Sequence, residues 1–193
     1  MSARKIEILQ IAIHIIASEG YDRLTLRALA RASDIKLGAL QSHFPNREAL
    51  LRALTDYLLS EYLKSLHALE QVEGALSIYD VARWYLSDFA GLDLKGDWLW
   101  PQLFAMSRVE PSMKELVDDI SKRIVQIFED YFHRAGSPNP RLEALALYSF
   151  GEGSTLFTSE GSPWESDAKD LNAAVLSLIE AKYGKKNADK HVA

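Results

Sequence analysis

Cysteine is absent from all 193 residues, so the chain has no disulfide, no thiolate metal ligand and no thiol nucleophile. A reducing compartment is therefore permitted. Histidine is sparse: His14, His43, His67, His133 and His191 are scattered. None forms a His-x-x-x-His or Glu-x-x-His pair, the spacings that set two metal ligands on one helical face. The sequence also lacks a glycine-rich phosphate loop and a Gly-x-Ser-x-Gly elbow, the backbone devices that cradle phosphate or expose a serine nucleophile. No metal, cofactor or catalytic residue is expected, and the chain does not read as an enzyme. The longest uncharged apolar run, Ile8 to Ser18, contains Gln10 and His14 and is too short to span a bilayer. The opening Met-Ser-Ala-Arg-Lys-Ile-Glu lacks a signal-peptide layout. Strand-like alternation, internal repeats and low-complexity blocks are missing as well. The expectation is a soluble cytoplasmic protein with no membrane partner.

What is present is ordinary globular composition, 48% apolar and 25% charged, enough to bury a core. The net charge of −5 is unevenly spread. Residues 1–51 hold seven Lys or Arg against five acids, whereas the remainder holds fifteen against twenty-two. A mildly basic head on an acidic body suits contact with a polyanion through one end.

Apolar spacing is helical throughout, so the fold class is all-α. Ile6, Leu9, Ile13 and Ile16 mark a first helix that Gly20 ends. Thr25 is placed to cap a second, Leu26 to Ala32. Ser33-Asp34 makes a turn, and a third helix runs from Lys36 to His43 until Pro45 stops it. Asn46 caps a long fourth helix, residues 47–69, with Leu50, Leu51, Leu54, Leu58, Tyr62 and Leu66 on its buried face. Five more helices are expected near 76–90, 98–107, 111–135, 140–158 and 167–183. Domain boundaries follow: a helix-turn-helix head at 1–46, a helical ligand-binding and dimerisation body at 47–183, and a disordered tail at 184–193.

Two short helices across a tight turn form the layout of a DNA-reading helix-turn-helix. Leu26, Leu29, Ala30, Ile35, Leu40 and Phe44 supply its packing. Lys36, Leu37, Ala39, Gln41, Ser42 and His43 are then left to face outward. Lys36 can pair with phosphate, Gln41 can bridge an adenine edge or donate to phosphate, and Leu37 or Ala39 can touch a thymine methyl. Thr25, Arg27 and the amides at the helix start can hold backbone phosphates, and Gly38 allows close approach. On periodicity alone the segment reads equally well as a helical hairpin in a bundle.

The run Thr25-Leu-Arg-Ala-Leu-Ala30, then Gly38-Ala-Leu40 and His43-Phe44-Pro-Asn-Arg-Glu48-Ala-Leu50-Leu51, resembles the N-terminal domain of TetR-family transcriptional regulators over residues 4–54. The resemblance implies a dimeric, ligand-responsive regulator, usually a repressor, on a roughly palindromic double-stranded operator. The family commonly has Gly where this chain has Asp34, Ser at Lys36, often Lys at Leu37 and frequently a phosphate-contacting Tyr at Gln41. These differences bear on operator sequence and affinity. They motivate an alternative, a helical ligand-binding or protein-interaction module without specific operator recognition.

In the body, Trp84, Tyr85, Phe89, Trp98, Trp100, Phe104, Met106 and Phe128 form an aromatic-rich set. It reads either as plain core or as the lining of a cavity for a mostly apolar small molecule. Arg83, Gln102, Arg108 and Glu152 are candidate polar anchors. The last two helices carry Leu145, Tyr148, Ser149, Glu152, Leu156, Leu171, Ala174, Val175 and Leu178. They are read as a homodimer surface building a four-helix bundle across a two-fold axis, or else as stripes facing their own core. Effector, operator, regulated genes, and whether ligand releases or promotes DNA binding are not encoded in any motif.

Overall fold

The computed structural model describes residues 1–87 and 96–185, the side chains of 96–98 excepted. Among these residues the chain is entirely helical apart from turns and two short 3-10 turns. The helices are α1 (Ala3–Glu19), α2 (Leu26–Ala32), α3 (Leu37–His43), α4 (Arg47–Glu73), α5 (Ile78–Leu86), α6 (Gly96–Ser107), α7 (Pro111–Arg134), α8 (Pro140–Thr158) and α9 (Ala168–Tyr183).

The expected caps form. The Thr25 hydroxyl oxygen accepts from the Ala28 amide at 3.1 Å, and Asn46 Oδ1 accepts from the Ala49 amide at 2.8 Å. Each satisfies an amide that the first helical turn leaves without a partner. Several boundaries differ from expectation. Lys36 is the residue before α3 rather than its first. The fourth helix continues a further turn, to Glu73. The fifth ends at Leu86, where Asn172 Nδ2 donates to the Leu86 carbonyl at 2.7 Å and satisfies an oxygen that one more helical turn would have used. A capping box at Ser77 and Asp80 fixes its start.

Packing divides the chain into two units: residues 1–62 with 92–120, and residues 63–91 with 121–193. In the first unit, α1 lies against α2 and α6, and α2 against α3. Ile8, Leu9, Ala12, Ile13, Ile15 and Ile16 of α1 are buried, a face wider than the expected stripe; Ile6 is only partly covered. Leu29, Leu40, Phe44, Leu50, Leu54 and Leu58 complete that core. Burying each such side chain contributes about 1.5–3 kcal/mol.

In the second unit, α5 packs on α8 and α9, and Val81, Ala82, Tyr85, Ile124, Val125, Phe128, Ala144, Leu147 and Ile179 are buried. Glu143, in the first turn of α8, accepts from Ser137 Oγ at 2.6 Å and from Lys182 and Tyr183 at the end of α9. Burial acts to raise its carboxyl, but those donors outweigh it and hold it below the ordinary glutamate range.

Candidate nucleic-acid interface and small-molecule site

The α2–α3 turn is a Schellman closure. The Ile35 amide reaches back to the Ala30 carbonyl at 3.0 Å and the Asp34 amide to the Arg31 carbonyl at 3.1 Å. The closure needs a left-handed residue, and Asp34 supplies it at φ 52°, the one non-glycine with positive φ among the described residues. An aspartate tolerates this conformation at a cost that glycine does not carry. Arg4 from α1 donates to the Ser33 carbonyl at 2.8 Å, pinning the turn.

This closure presents α3 with Leu40 buried and Gly38, Ala39, Gln41 and Ser42 exposed. Leu37 and His43 are half-buried. Open space surrounds the position where a Cβ on Gly38 would sit, so a partner can approach the backbone there. Ser42 Oγ donates to the Ala39 carbonyl at 2.7 Å and retains its acceptor capacity. Lys36 makes no side-chain cap, which leaves the first amides of α3 without a side-chain acceptor. Thr25, Arg27 and Lys36 are exposed.

Arg23, Arg27, Arg31 and Lys36 have no ion pair among the described residues, whereas Arg4 pairs with Glu7, Arg47 with Glu110 and Arg52 with Glu48. Arg31 joins this set although it lies outside the expected contact residues. Its exposure one helical turn beyond Arg27 was a signal already present in the i, i+4 spacing.

A polar cluster joins distant parts of the first unit. Glu110, just before α7, accepts from the Tyr21 hydroxyl at 2.9 Å, from Arg47 through both oxygens at 3.1 Å and from Ser112 at 3.1 Å. The Arg47 guanidinium also covers the Tyr21 ring at 4.6 Å, and the Tyr21 amide donates to Gln102 Oε1 at 2.9 Å. Burial acts to raise Glu110, but its donors and the Arg47 charge prevail and hold it low. Burial, with the bond to Glu110, pushes the Tyr21 phenol up.

The aromatic set is divided between the units. In the first, Trp100 is buried edge-on to Tyr62, with centroids 5.8 Å apart, and lies 6.3 Å from the half-buried Phe104. Met106 is half-buried there too. In the second, Trp84 Nε1 donates to Ser65 at 3.0 Å, and Tyr85 meets Phe128 at 4.8 Å. Phe89, the Trp98 side chain and the expected tail beyond Lys185 lie outside the described residues. Of the candidate anchors, Arg83 pairs with Glu73 at 2.8 Å, Gln102 is taken by Tyr21, Arg108 is exposed, and Glu152 points inward. Among the described residues no group of acids and histidines is arranged to hold a metal, and no helix is long and apolar enough to cross a membrane.

Glu152 and Tyr148 are half-buried on α8, between its packed and outer sides. The Tyr85 hydroxyl donates to Glu152 Oε1 at 2.9 Å, and the Tyr148 and Ser121 hydroxyls share a bond of 2.8 Å. A Cβ on Gly151 would sit 2.3 Å from Tyr85 Cε1, so only glycine admits the ring. Burial lifts the Glu152 carboxyl to about 7, and the Tyr85 bond only partly opposes it.

The outer side of α8 and α9 is apolar. Leu142, Leu145, Leu156, Phe157, Leu171 and Leu178 are exposed, Leu178 by 72%, and Ser149 and Ala174 are exposed beside them. An open groove of about 370 Å³ runs along it, lined by Ala146, Leu147, Phe150, Val175, Leu178 and Ile179, with Glu143, Lys182 and Tyr183 among its polar walls.

Residues 8–54 match the model of bacterial regulatory proteins of the tetR family. None of the curated proteins matches the sequence. Among solved structures, a protein described as a TetR-family transcriptional regulator from a Rhodococcus species aligns with TM-score 0.76 at 21% identity, covering 95% of this chain and 100% of that one. A TetR transcriptional regulator from Legionella pneumophila aligns with TM-score 0.74 at 18% identity, over 95% and 98% of the two chains. A protein described as a transcriptional regulator from Saccharomonospora viridis, in complex with choline, aligns with TM-score 0.74 at 17% identity, over 93% and 97%. At these identities the likeness establishes a shared fold.

Proposed function

We propose that this protein, whose residues 8–54 match the model of bacterial regulatory proteins of the tetR family, is a homodimeric, ligand-responsive transcription regulator, acting as a repressor on a roughly palindromic operator. The observation that carries the reading is the α2–α3 surface: Arg27, Arg31 and Lys36 exposed and unpaired beside exposed Ala39, Gln41 and Ser42. Such a surface attracts phosphate without first breaking internal ion pairs. Its short side chains let base edges approach the helix. Gln41 reads an adenine edge through its amide, and Thr25 with Arg27 holds phosphate.

Dimerisation is supported by the exposed leucines of α8 and α9, Leu142, Leu145, Leu156, Leu171 and Leu178. Two heads on one two-fold axis would read successive major grooves ~34–36 Å apart. Ligand control is supported by helix continuity. α4 and α7 each contribute residues to both units, so a ligand preferring one conformation of the second unit biases a helix that begins directly after α3. The choline complex of the Saccharomonospora protein is consistent with small-molecule control in this fold.

Selection of DNA sites from random sequence tests the reading. The expected result is an enriched near-palindrome whose binding weakens steeply with salt. Arg27→Gln should lower the slope of log affinity against log salt by roughly 0.9 per head. Absence of any enriched site would favour the module without operator recognition.

A further inference from the structure

Glu152 is a carboxylate set among aromatic rings with no cation beside it. Its Oε1 accepts from the Tyr85 hydroxyl at 2.9 Å. Among the described residues its other oxygen accepts nothing, and no Lys, Arg or His pairs with it. That second oxygen is not sealed: the sealed, unpartnered side-chain atoms among the described residues are the hydroxyls of Ser33 and Ser162. The phenol that binds it, Tyr85, belongs to a cluster of three rings. Tyr85 stacks on Tyr148 at 6.3 Å with planes 20° apart and tilts against Phe128 at 4.8 Å. The titratable groups facing Glu152 from α5 and α8 are Tyr85 and Tyr148, and both hydroxyls are already engaged.

Ionising a half-buried carboxylate with no cation beside it is costly, and proteins ordinarily supply a counter-ion or replace the acid. This chain does neither. Aromatic faces carry negative quadrupole density and attract cations. A carboxylate plus three rings is therefore a charge arrangement completed by a positive group with an apolar surround, and it repels anions. We propose that Glu152, with Tyr85, Tyr148 and Phe128, recognises an organic cation: an ammonium group bearing apolar substituents. The proposal rests on the reading of the protein as ligand-responsive and names the chemical class of its effector.

Three probes of equal chain length separate charge from apolar burial: hexyltrimethylammonium, 1-hexanol and hexyl sulfate. Each is titrated calorimetrically into the full-length protein at pH 8. The cation should bind at least tenfold more tightly than the alcohol or the sulfate. Glu152→Gln should erase that preference while leaving the alcohol's affinity unchanged, and Glu152→Asp should retain part of it. Near pH 7, repeating the titration in buffers of different ionisation enthalpy should reveal proton release on cation binding, absent in Glu152→Gln. A purely structural Glu152 would give no such release. Equal affinity for the three probes, or undiminished cation binding by Glu152→Gln, overturns the assignment. Operator affinity is measured in parallel with each probe. Cation binding through Glu152 with unchanged DNA affinity would keep the site and refute the ligand-responsive reading. A neutral or anionic probe that alone shifts DNA affinity would do the reverse.

Discussion

Removing the Glu110 carboxylate should destabilise the unit that carries the α2–α3 surface. Glu110 is the shared acceptor for Tyr21, Arg47 and Ser112, and the three donors differ in what they lose. Tyr21 is 3% exposed, so in Glu110→Ala its hydroxyl is left without an acceptor, at a cost of about 1–3 kcal/mol. The Arg47 side chain is 39% exposed and rehydrates, losing about 0.5 kcal/mol. Ser112 finds water. The expected total is about 2 kcal/mol, roughly 4–8 °C in Tm for a chain of this size. Urea unfolding followed by circular dichroism measures it. A cycle with Tyr21→Phe isolates the pair: the double variant should be more stable than the sum of the single losses predicts, by about 1 kcal/mol. A loss under about 0.5 kcal/mol, or strict additivity, would refute the account of Glu110 as the acceptor on which Tyr21 depends. Acid gives a second reading of the same group. Its folded carboxyl lies below the ordinary value, so its stabilisation is complete above the unfolded glutamate pKa, about 4.3. That stabilisation is lost as pH falls through the folded value. Glu110→Gln should flatten that acid limb.

Glu152 has the opposite sign: its folded carboxyl is raised to about 7, so its favourable contribution is present below the unfolded value and lost as pH rises through 7. Glu152→Gln should therefore stabilise by up to about 3 kcal/mol at pH 8 and be near neutral at pH 4, read from melts at both pH values. Asp34→Gly should relieve the left-handed strain and raise stability by about 0.5–1 kcal/mol, despite the larger unfolded-state entropy of glycine, measured by urea midpoint. Leu178→Glu, on the exposed stripe of α9, should convert a dimer to monomer in sedimentation velocity while leaving helicity unchanged; an unaltered mass would remove α9 from the interface.

Local chemistry was readable where it was complete within a few residues. Thr25 and Asn46 announce their caps by type and position, and Pro45 with Phe44 closes α3 as the sequence implies. The outer and inner sides of α8 were not separable by pattern. Its large apolar residues, Leu142, Leu145 and Leu156, are exposed, while the packed side uses the small Ala144 and Gly151 with Leu147. Tyr148 and Glu152 are half-buried between the two sides, and the mixture of large and small residues along the helix does not separate them. The Tyr21–Arg47–Glu110 cluster joins residues up to 89 positions apart, a separation that no periodicity encodes. The aromatic set fell into two units because composition does not say which helices pack together.

Gly151 has a consequence that extends to relatives of this chain. The Tyr85 ring occupies the volume that any side chain at 151 would need, so the two positions cannot drift independently. A homologue with alanine or larger at the position of Gly151 should carry a smaller residue at the position of Tyr85, and one that keeps the tyrosine should keep the glycine. Paired substitution of this kind would appear as covariation in an alignment. It would also mark which relatives can hold an acid at the position of Glu152 against a phenol.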